Sequence, residues 1–229
     1  MYYSTDAPIK QILFYIAKVQ KIQYNRSRGD KMLKIPYDKD LTLPSAPLGA
    51  MEIYPWDETG YTPKATITMV YNEEALRVRL QSPICELTVL TNQDNGPVWK
   101  DNCLELFLAP YADHPDYINF ECNPLCAMVI GKGPGRGNRI SLVSLLKPLM
   151  KVSCTIHAGK GYEIEYTIPL AALAEIYDRP LLKKGDILRM NAYICGEATP
   201  IMHFGMLFPI DHPTPDFHRP EFFGEAVLS

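Results

Sequence analysis

From residue 33 onward, apolar and polar residues alternate in short runs cut by Pro, Gly, Asn and Asp. The cuts come about every ten residues, the spacing of strands in a sandwich or barrel. The pattern predicts strands over 65–71, 76–81, 86–90, 103–108, 117–122, 127–130, 151–157, 162–168 and 187–195, with one short helix over 170–177 between Pro169 and Pro180. No period of roughly 20–50 residues recurs, which excludes a solenoid or propeller. The expected fold is all-β: an antiparallel, jelly-roll-like β-sandwich over residues 32–229.

Residues 1–31 have a different texture. Ile9, Ile12, Leu13, Ile16, Val19 and Ile22 recur at spacings of three and four, which predicts one amphipathic helix over 8–24. Its apolar face suits packing on its own domain, with a membrane surface or a partner helix as alternatives. This piece is read as an N-terminal extension, with Met32 as an alternative start. The two longest apolar runs, 12–17 and 125–130, are six residues each, far short of the roughly 20 that span a bilayer. The first run lacks a small-residue cleavage site, so the chain as written reads as cytoplasmic.

Charge sharpens the division. The chain has 229 residues and a net charge of -3, but residues 1–31 carry six basic and two acidic side chains (+4) while the remainder is at -7. An acidic sandwich argues against a nucleic-acid partner. Twenty prolines disfavour long helices. Six Cys without CxxC pairs read as reduced, packed thiols rather than a disulfide framework or zinc site.

Side chains of a strand point to opposite faces with a period of two. Leu104, Leu106 and Leu108 form one face of the 103–108 strand, leaving Glu105 on the other. Ile118, Phe120 and Cys122 oppose Asn119, Glu121 and Asn123, and Met190, Ala192 and Ile194 oppose Arg189, Asn191 and Tyr193. If these strands share a sheet, the second face is rich in carboxylate, amide and guanidinium groups. Such groups bind adjacent sugar hydroxyls in pairs, and an aromatic ring covers the apolar side of a pyranose. A solvated outer face is the alternative.

The stretch Val98-Trp99-Lys100-Asp101-Asn102-Cys103-Leu104-Glu105-Leu106-Phe107-Leu108, followed by Tyr117-Ile118-Asn119-Phe120-Glu121-Cys122-Asn123-Pro124, resembles the centre of the family 9 carbohydrate-binding modules, within the DOMON-like β-sandwich superfamily. Pro215-Asp216-Phe217-His218-Arg219-Pro220-Glu221-Phe222-Phe223-Gly224 resembles the ending of stand-alone family 9-like proteins. The resemblance implies non-catalytic binding of a mono- or oligosaccharide by a module associated with polysaccharide breakdown and glycoside hydrolases. It also implies a pyranose held between two Trp rings, with a carboxylate six residues after the first. That pattern falls on Trp99 and Glu105. Leu207 stands at the second Trp position, with Phe204 and Phe208 as possible replacements. The expected ligand-binding residues are Trp99, Glu105, Asn119, Glu121, Asn123, Arg189 and Asn191, with no catalytic residue. Relatives that bind sugar are usually exported, which implies an extracellular or periplasmic location if the natural start differs.

Other chemistries were weighed. Glu105 with Glu121 could serve a glycosidase as acid and base, and loss of the second Trp would suit a protein-interaction module with a decayed sugar site. The loop over 131–137 lacks the Gly-Lys-Ser/Thr ending of a phosphate cradle, although Lys132, Arg136 and Arg139 could meet an acidic ligand. The five His have no HxxxH or HExxH spacing. Asp113 and Asp116 are candidates for a structural calcium. His218, beside Asp216, reads as fixing a turn.

Overall fold

The computed structural model describes residues 32–229, so the helix expected over 8–24 lies outside the described residues. Two sheets pack face to face. The larger runs in the order β1 (Leu33–Ile35), β13 (Gly224–Leu228), β11 (Ile187–Gly196), β5 (Cys103–Ala109), β6 (Tyr117–Cys122), β7 (Met128–Gly133) and β8 (Ile140–Ser141), with β12 (His203–Met206) also paired to β11. The smaller runs β2 (Gly49–Met51), β3 (Ala65–Tyr71), β4 (Ala75–Ser82), β10 (Gly161–Pro169) and β9 (Ser153–His157). Among the described residues every named strand pair is antiparallel except β1 with β13. The antiparallel sandwich read from the alternation is the fold.

The space between the sheets is filled as the period of two requires. Leu104, Leu106, Leu108, Ile118, Phe120, Met190, Ala192 and Ile194 from the larger sheet meet Ile67, Met69, Val78, Leu80, Ile164 and Tyr166 from the smaller in one continuous core. Two short helices close it. The expected helix, α2 (Leu170–Tyr177), starts after Pro169 and buries Leu170, Leu173 and Tyr177. The other, α1 (Val143–Met150), was masked in the sequence by Pro148, yet it buries Val143, Leu146 and Met150 on one side.

The strand expected over 86–90 is not one. Its backbone is held by side chains instead of a neighbouring strand: Thr88 N–H donates to Asn102 Oδ1 (2.6 Å), and Leu90 and Thr91 N–H donate to the Asp101 carboxylate (3.0 and 2.9 Å). Only Leu87 of this segment packs against the core and Leu90 is left exposed, so the alternation here marks neither a buried face nor a ladder partner.

The outer faces of the two sheets have opposite fates. On the smaller sheet, Arg77 and Arg79 on β4 reach Glu165 on β10 at 2.7 and 2.6 Å, and Gln81 reaches Glu163 at 3.0 Å, a half-buried polar ladder open to water. On the larger sheet the face carrying Phe107, Tyr117 and Tyr193 forms a second apolar cluster with Phe217, Phe223 and Ile210, from the chain between β12 and β13. That segment roofs the sheet.

At Gly161, where β9 turns into β10, the backbone has φ +107°, and a Cβ would sit 1.9 Å from the Ser82 carbonyl oxygen. Gly161→Ala should therefore destabilise the sandwich by about 1–3 kcal/mol from backbone strain and more from the clash, read as a lower urea midpoint.

Candidate functional site

Beneath the roof lies a cavity of about 340 Å³. Its floor is the middle of the larger sheet, where register sets Glu105 on β5 directly between Glu121 on β6 and Tyr193 on β11. Glu105 is 2% exposed, Asn119 1% and Glu121 5%, so two carboxyls and an amide are withdrawn from water side by side. Burial, with the neighbouring Glu121 carboxyl adding to it, pushes Glu105 well above the usual carboxylate range. Burial raises Glu121 to about 7, against the opposing pull of an Asn119 hydrogen bond and of Arg139.

The polar groups of the floor are linked. Arg139 Nε donates to Asn119 Oδ1 (3.0 Å), and Asn119 Nδ2 donates to Glu121 Oε1 (2.7 Å). Arg139 also caps the Gly131 and Gly135 carbonyls and lies 4.4 Å over the Tyr117 ring. A Cβ at Gly131 would stand 3.0 Å from Asn119 Oδ1 and 3.2 Å from Arg139 Nε, so the glycine gives the guanidinium room to reach the amide. On the other side, the Cys195 thiol donates to Glu105 Oε1 (3.0 Å).

Aromatic rings make the walls. Trp99, on a 3₁₀ turn over Val98–Lys100, and Phe204, on β12, both line the cavity, as do Phe107 and Phe217. Phe217 stacks on Tyr193 with centroids 4.0 Å apart and planes within 9°. Arg136 closes one side through Asp216 (2.8 Å), and His218 Nδ1 lies 2.6 Å from the Tyr117 hydroxyl. Burial holds His218 down to about 3, with Arg139 and Arg136 adding to the effect. The expected turn-fixing role does not fall to the His218 ring, which ties the roof to Tyr117 on β6, while locally it is the Asp216 carboxylate that accepts the His218 backbone N–H (3.1 Å).

Four of the seven residues singled out by sequence, Trp99, Glu105, Asn119 and Glu121, come together in the cavity. The other three lie outside it and are engaged in holding its frame. Asn123 Nδ2 bonds Thr91 O and Asp101 Oδ2, and its Oδ1 accepts from Leu125 and Ala127, which ties down the loop leading to Trp99. Asn191 takes both the N–H and the carbonyl of Phe208, where the roof leaves the sheet, and Arg189 donates to Pro220 O, where it returns. Leu207 is buried in the inter-sheet core, whereas Phe204 faces the cavity. Asp113 and Asp116 pair with Arg179 (3.1 Å) and Lys132 (3.5 Å) rather than forming a shared cation cage. Trp56 does not line the cavity but backs two of its wall rings, Phe204 and Phe217, at 6.3 and 6.0 Å between centroids, and donates from Nε1 to His212 O (2.7 Å). Sequence reasoning did not place Glu197, Asp216 and His218 in the site; the only signal was their neighbourhood to Cys195 and to the terminal motif.

The sequence profile of carbohydrate-binding family 9 matches residues 38–228, nearly the whole described chain. The chain belongs to carbohydrate-binding family 9. Among solved structures, a candidate carbohydrate-binding protein from Bacteroides uniformis ATCC 8492 superimposes with a TM-score of 0.74 at 20% identity, covering 87% of this chain and 99% of that one. A family 9 module from Caldicellulosiruptor kristjanssonii in complex with cellotriose gives a TM-score of 0.58 at 13% identity, covering 87% and 94%. The same organism's module with glucose gives 0.58 at 14%, covering 87% and 96%. No curated protein sequence matches significantly. No helix among the described residues is long and apolar enough to cross a membrane.

Two outcomes follow for this family 9 frame. Because His218 is held neutral in the fold but takes a proton near pH 6.5 once unfolded, its contribution is complete above about 6.5 and is lost as pH falls toward about 3. Glu121 acts with the opposite sign over part of this range, so the readout is a difference between proteins: relative to wild type, His218→Gln should gain stability as pH falls from about 6 to about 4, by at most ~1.4 kcal/mol per pH unit, in paired denaturant titrations. Asn123→Ala leaves the buried N–H of Ala127 and the Asp101 carboxylate without their Asn123 partner and should cost about 1–3 kcal/mol, measured by denaturant titration.

Proposed function

We propose that the cavity over Glu105 binds a mono- or short oligosaccharide without chemical change. The observation that carries this reading is the meeting, in one cavity of about 340 Å³, of the Trp99 and Phe204 rings with the buried hydrogen-bonding floor of Glu105, Asn119 and Glu121. A sugar ring has apolar faces and a polar equator; rings take the first and the floor takes the second. With their affinity for protons raised, the two carboxyls donate as well as accept hydrogen bonds, which suits neutral hydroxyls. The volume lies at the lower end of ligand pockets, roughly 300–1,000 Å³, which favours a chain end over the middle of a polymer. The solved family 9 complexes with glucose and cellotriose support the same ligand class. The family match begins at residue 38, which supports reading 1–31 as an extension apart from the sandwich.

A hydrolase would need its two carboxyls on opposite sides of a glycosidic bond. Here Glu105 and Glu121 stand side by side on adjacent strands, and Glu121 is engaged by Asn119, an arrangement that favours holding hydroxyls over cleaving a bond between them.

Calorimetry against glucose, cellotriose and a panel of other mono- and oligosaccharides tests the proposal. Binding should weaken about tenfold in Trp99→Ala, since ring stacking contributes about 0.5–1.5 kcal/mol beyond area burial, and comparably in Phe204→Ala. Absence of binding at millimolar sugar would overturn the reading in favour of an interaction module. Turnover of an aryl glycoside lost in Glu105→Gln would favour the enzyme.

A further inference from the structure

Beside Glu105 on the cavity side of the sheet stand two thiols that sugar binding does not account for. Cys103 and Glu105 are two residues apart on β5 and so share the outer face, and Cys195 on β11 stands directly opposite Cys103 in the ladder. The two Sγ atoms and a Glu105 carboxylate oxygen all lie within 4.8 Å of one another. Cys103 is fully buried, Cys195 is 2% exposed, and Glu105 and Cys195 border the cavity. We propose that Cys103, Glu105 and Cys195 form a site for one thiophilic divalent cation of the zinc class, with its fourth position open to the cavity.

The chemistry suits such an ion. Thiolate sulfur selects borderline and soft metals over calcium or magnesium. A tetrahedral zinc with bonds of about 2.0–2.3 Å sets its ligand atoms roughly 3.3–3.8 Å apart. The Cys195–Glu105 approach of 3.0 Å shows that these side chains already converge on that scale. Three protein ligands and one open position are the pattern of a zinc that keeps a water or takes a ligand atom. On binding, two thiols and one carboxyl release three protons to solvent and form two metal–sulfur bonds and one metal–oxygen bond; no electron is transferred. The product carries one net negative charge, and Arg136 lies on the same cavity wall to offset it. The β-strand scaffold fixes all three ligands, because two come from one strand and the third from its ladder partner.

The site shares Glu105 with the sugar reading but does not rest on it. The test uses the reduced, chelator-stripped full-length protein titrated with Co²⁺ alone. Expected are a thiolate-to-cobalt charge-transfer band and visible tetrahedral ligand-field bands that saturate at one equivalent and are displaced by Zn²⁺. Loss of an outer-shell partner alone costs about 10–100-fold in metal affinity, so Cys103→Ser, Cys195→Ser and Glu105→Gln should each weaken binding at least that much. Cys85→Ser, on an exposed thiol, should leave it unchanged. Circular dichroism of each variant reports whether it is folded, and Glu105→Gln keeps the test open if a Cys variant is not. No charge-transfer band at one equivalent would overturn the proposal, as would a band that persists in the Cys103→Ser/Cys195→Ser double variant. Failure of sugar calorimetry leaves the cobalt readout unaffected, so the two readings fail separately.

Discussion

One edge of β11 has to serve two strands. β13 pairs with Ile187–Met190 and β12 with Tyr193–Gly196, and Leu207 N–H still donates to Ala192 O, so the chain beyond it, residues 208–223, has no place in the ladder. It must leave the plane of the sheet and cross its outer face. Where it departs, Asn191 satisfies both backbone groups of Phe208; where it returns, Arg189 caps Pro220; midway, the Tyr193 hydroxyl reaches the Phe217 carbonyl at 3.1 Å. A crossing chain with unpaired backbone groups would be costly to bury, and these three side chains of one strand meet that cost. The cavity is the space the crossing encloses.

Burial under that roof determines the electrostatics of the site. Glu105 and Glu121 would be ordinary surface carboxylates on an open sheet, but here desolvation disfavours their charged forms and raises both. The Arg139–Asn119–Glu121 chain compensates on one side, and the Cys195 thiol on the other. Burying Glu121 therefore costs stability as pH rises: from about 4.5 through about 7 the unfolded chain releases protons that Glu121 in the folded chain still holds, and stability falls. His218 acts with the opposite sign on the acid side. Between about pH 4.5 and 6.5 the two groups therefore oppose each other, His218 losing and Glu121 gaining stability as pH falls.

Much of this was legible in the sequence, and the part that was not has a physical reason. Period-two alternation identifies both faces of β5, β6 and β11, and the strands over 65–71 and 117–122 agree with the structure residue for residue. Alternation says that Asn123, Arg189 and Asn191 share a face with Glu105, but not that loop backbone lies over them and takes their hydrogen bonds. It also reads 86–90 as a strand, because Leu87, Val89 and the residue between them alternate as a strand would, although the segment stays partly exposed and its backbone is pinned by Asp101 and Asn102. Proline masked α1, since propensity counts the lost donor of Pro148 and not the burial of Leu146 and Met150 that outweighs it. Aromatic residues on the roof could be recognised as a motif, whereas their meeting with Trp99 and Phe204 across the cavity depends on long-range topology.

The two outer faces show why this one became a site. On the smaller sheet, Arg79 lies opposite Glu165 in the ladder and bonds it, the opposite-sign pairing that stabilises a solvated sheet by a few tenths of a kcal/mol to about 1. On the larger sheet, Glu105 lies opposite Glu121, a like-charge pairing that the same rule makes unfavourable. Packing does not require it, because the core faces of these strands are complete without either side chain. Nor does solubility, because both carboxyls are buried. A sequence that satisfies its local rules elsewhere and breaks this one, at the floor of an enclosed cavity between aromatic walls, has placed its conflict where binding can repay it. The proposed hydroxyl or cation would supply the partner that the two carboxyls lack in each other.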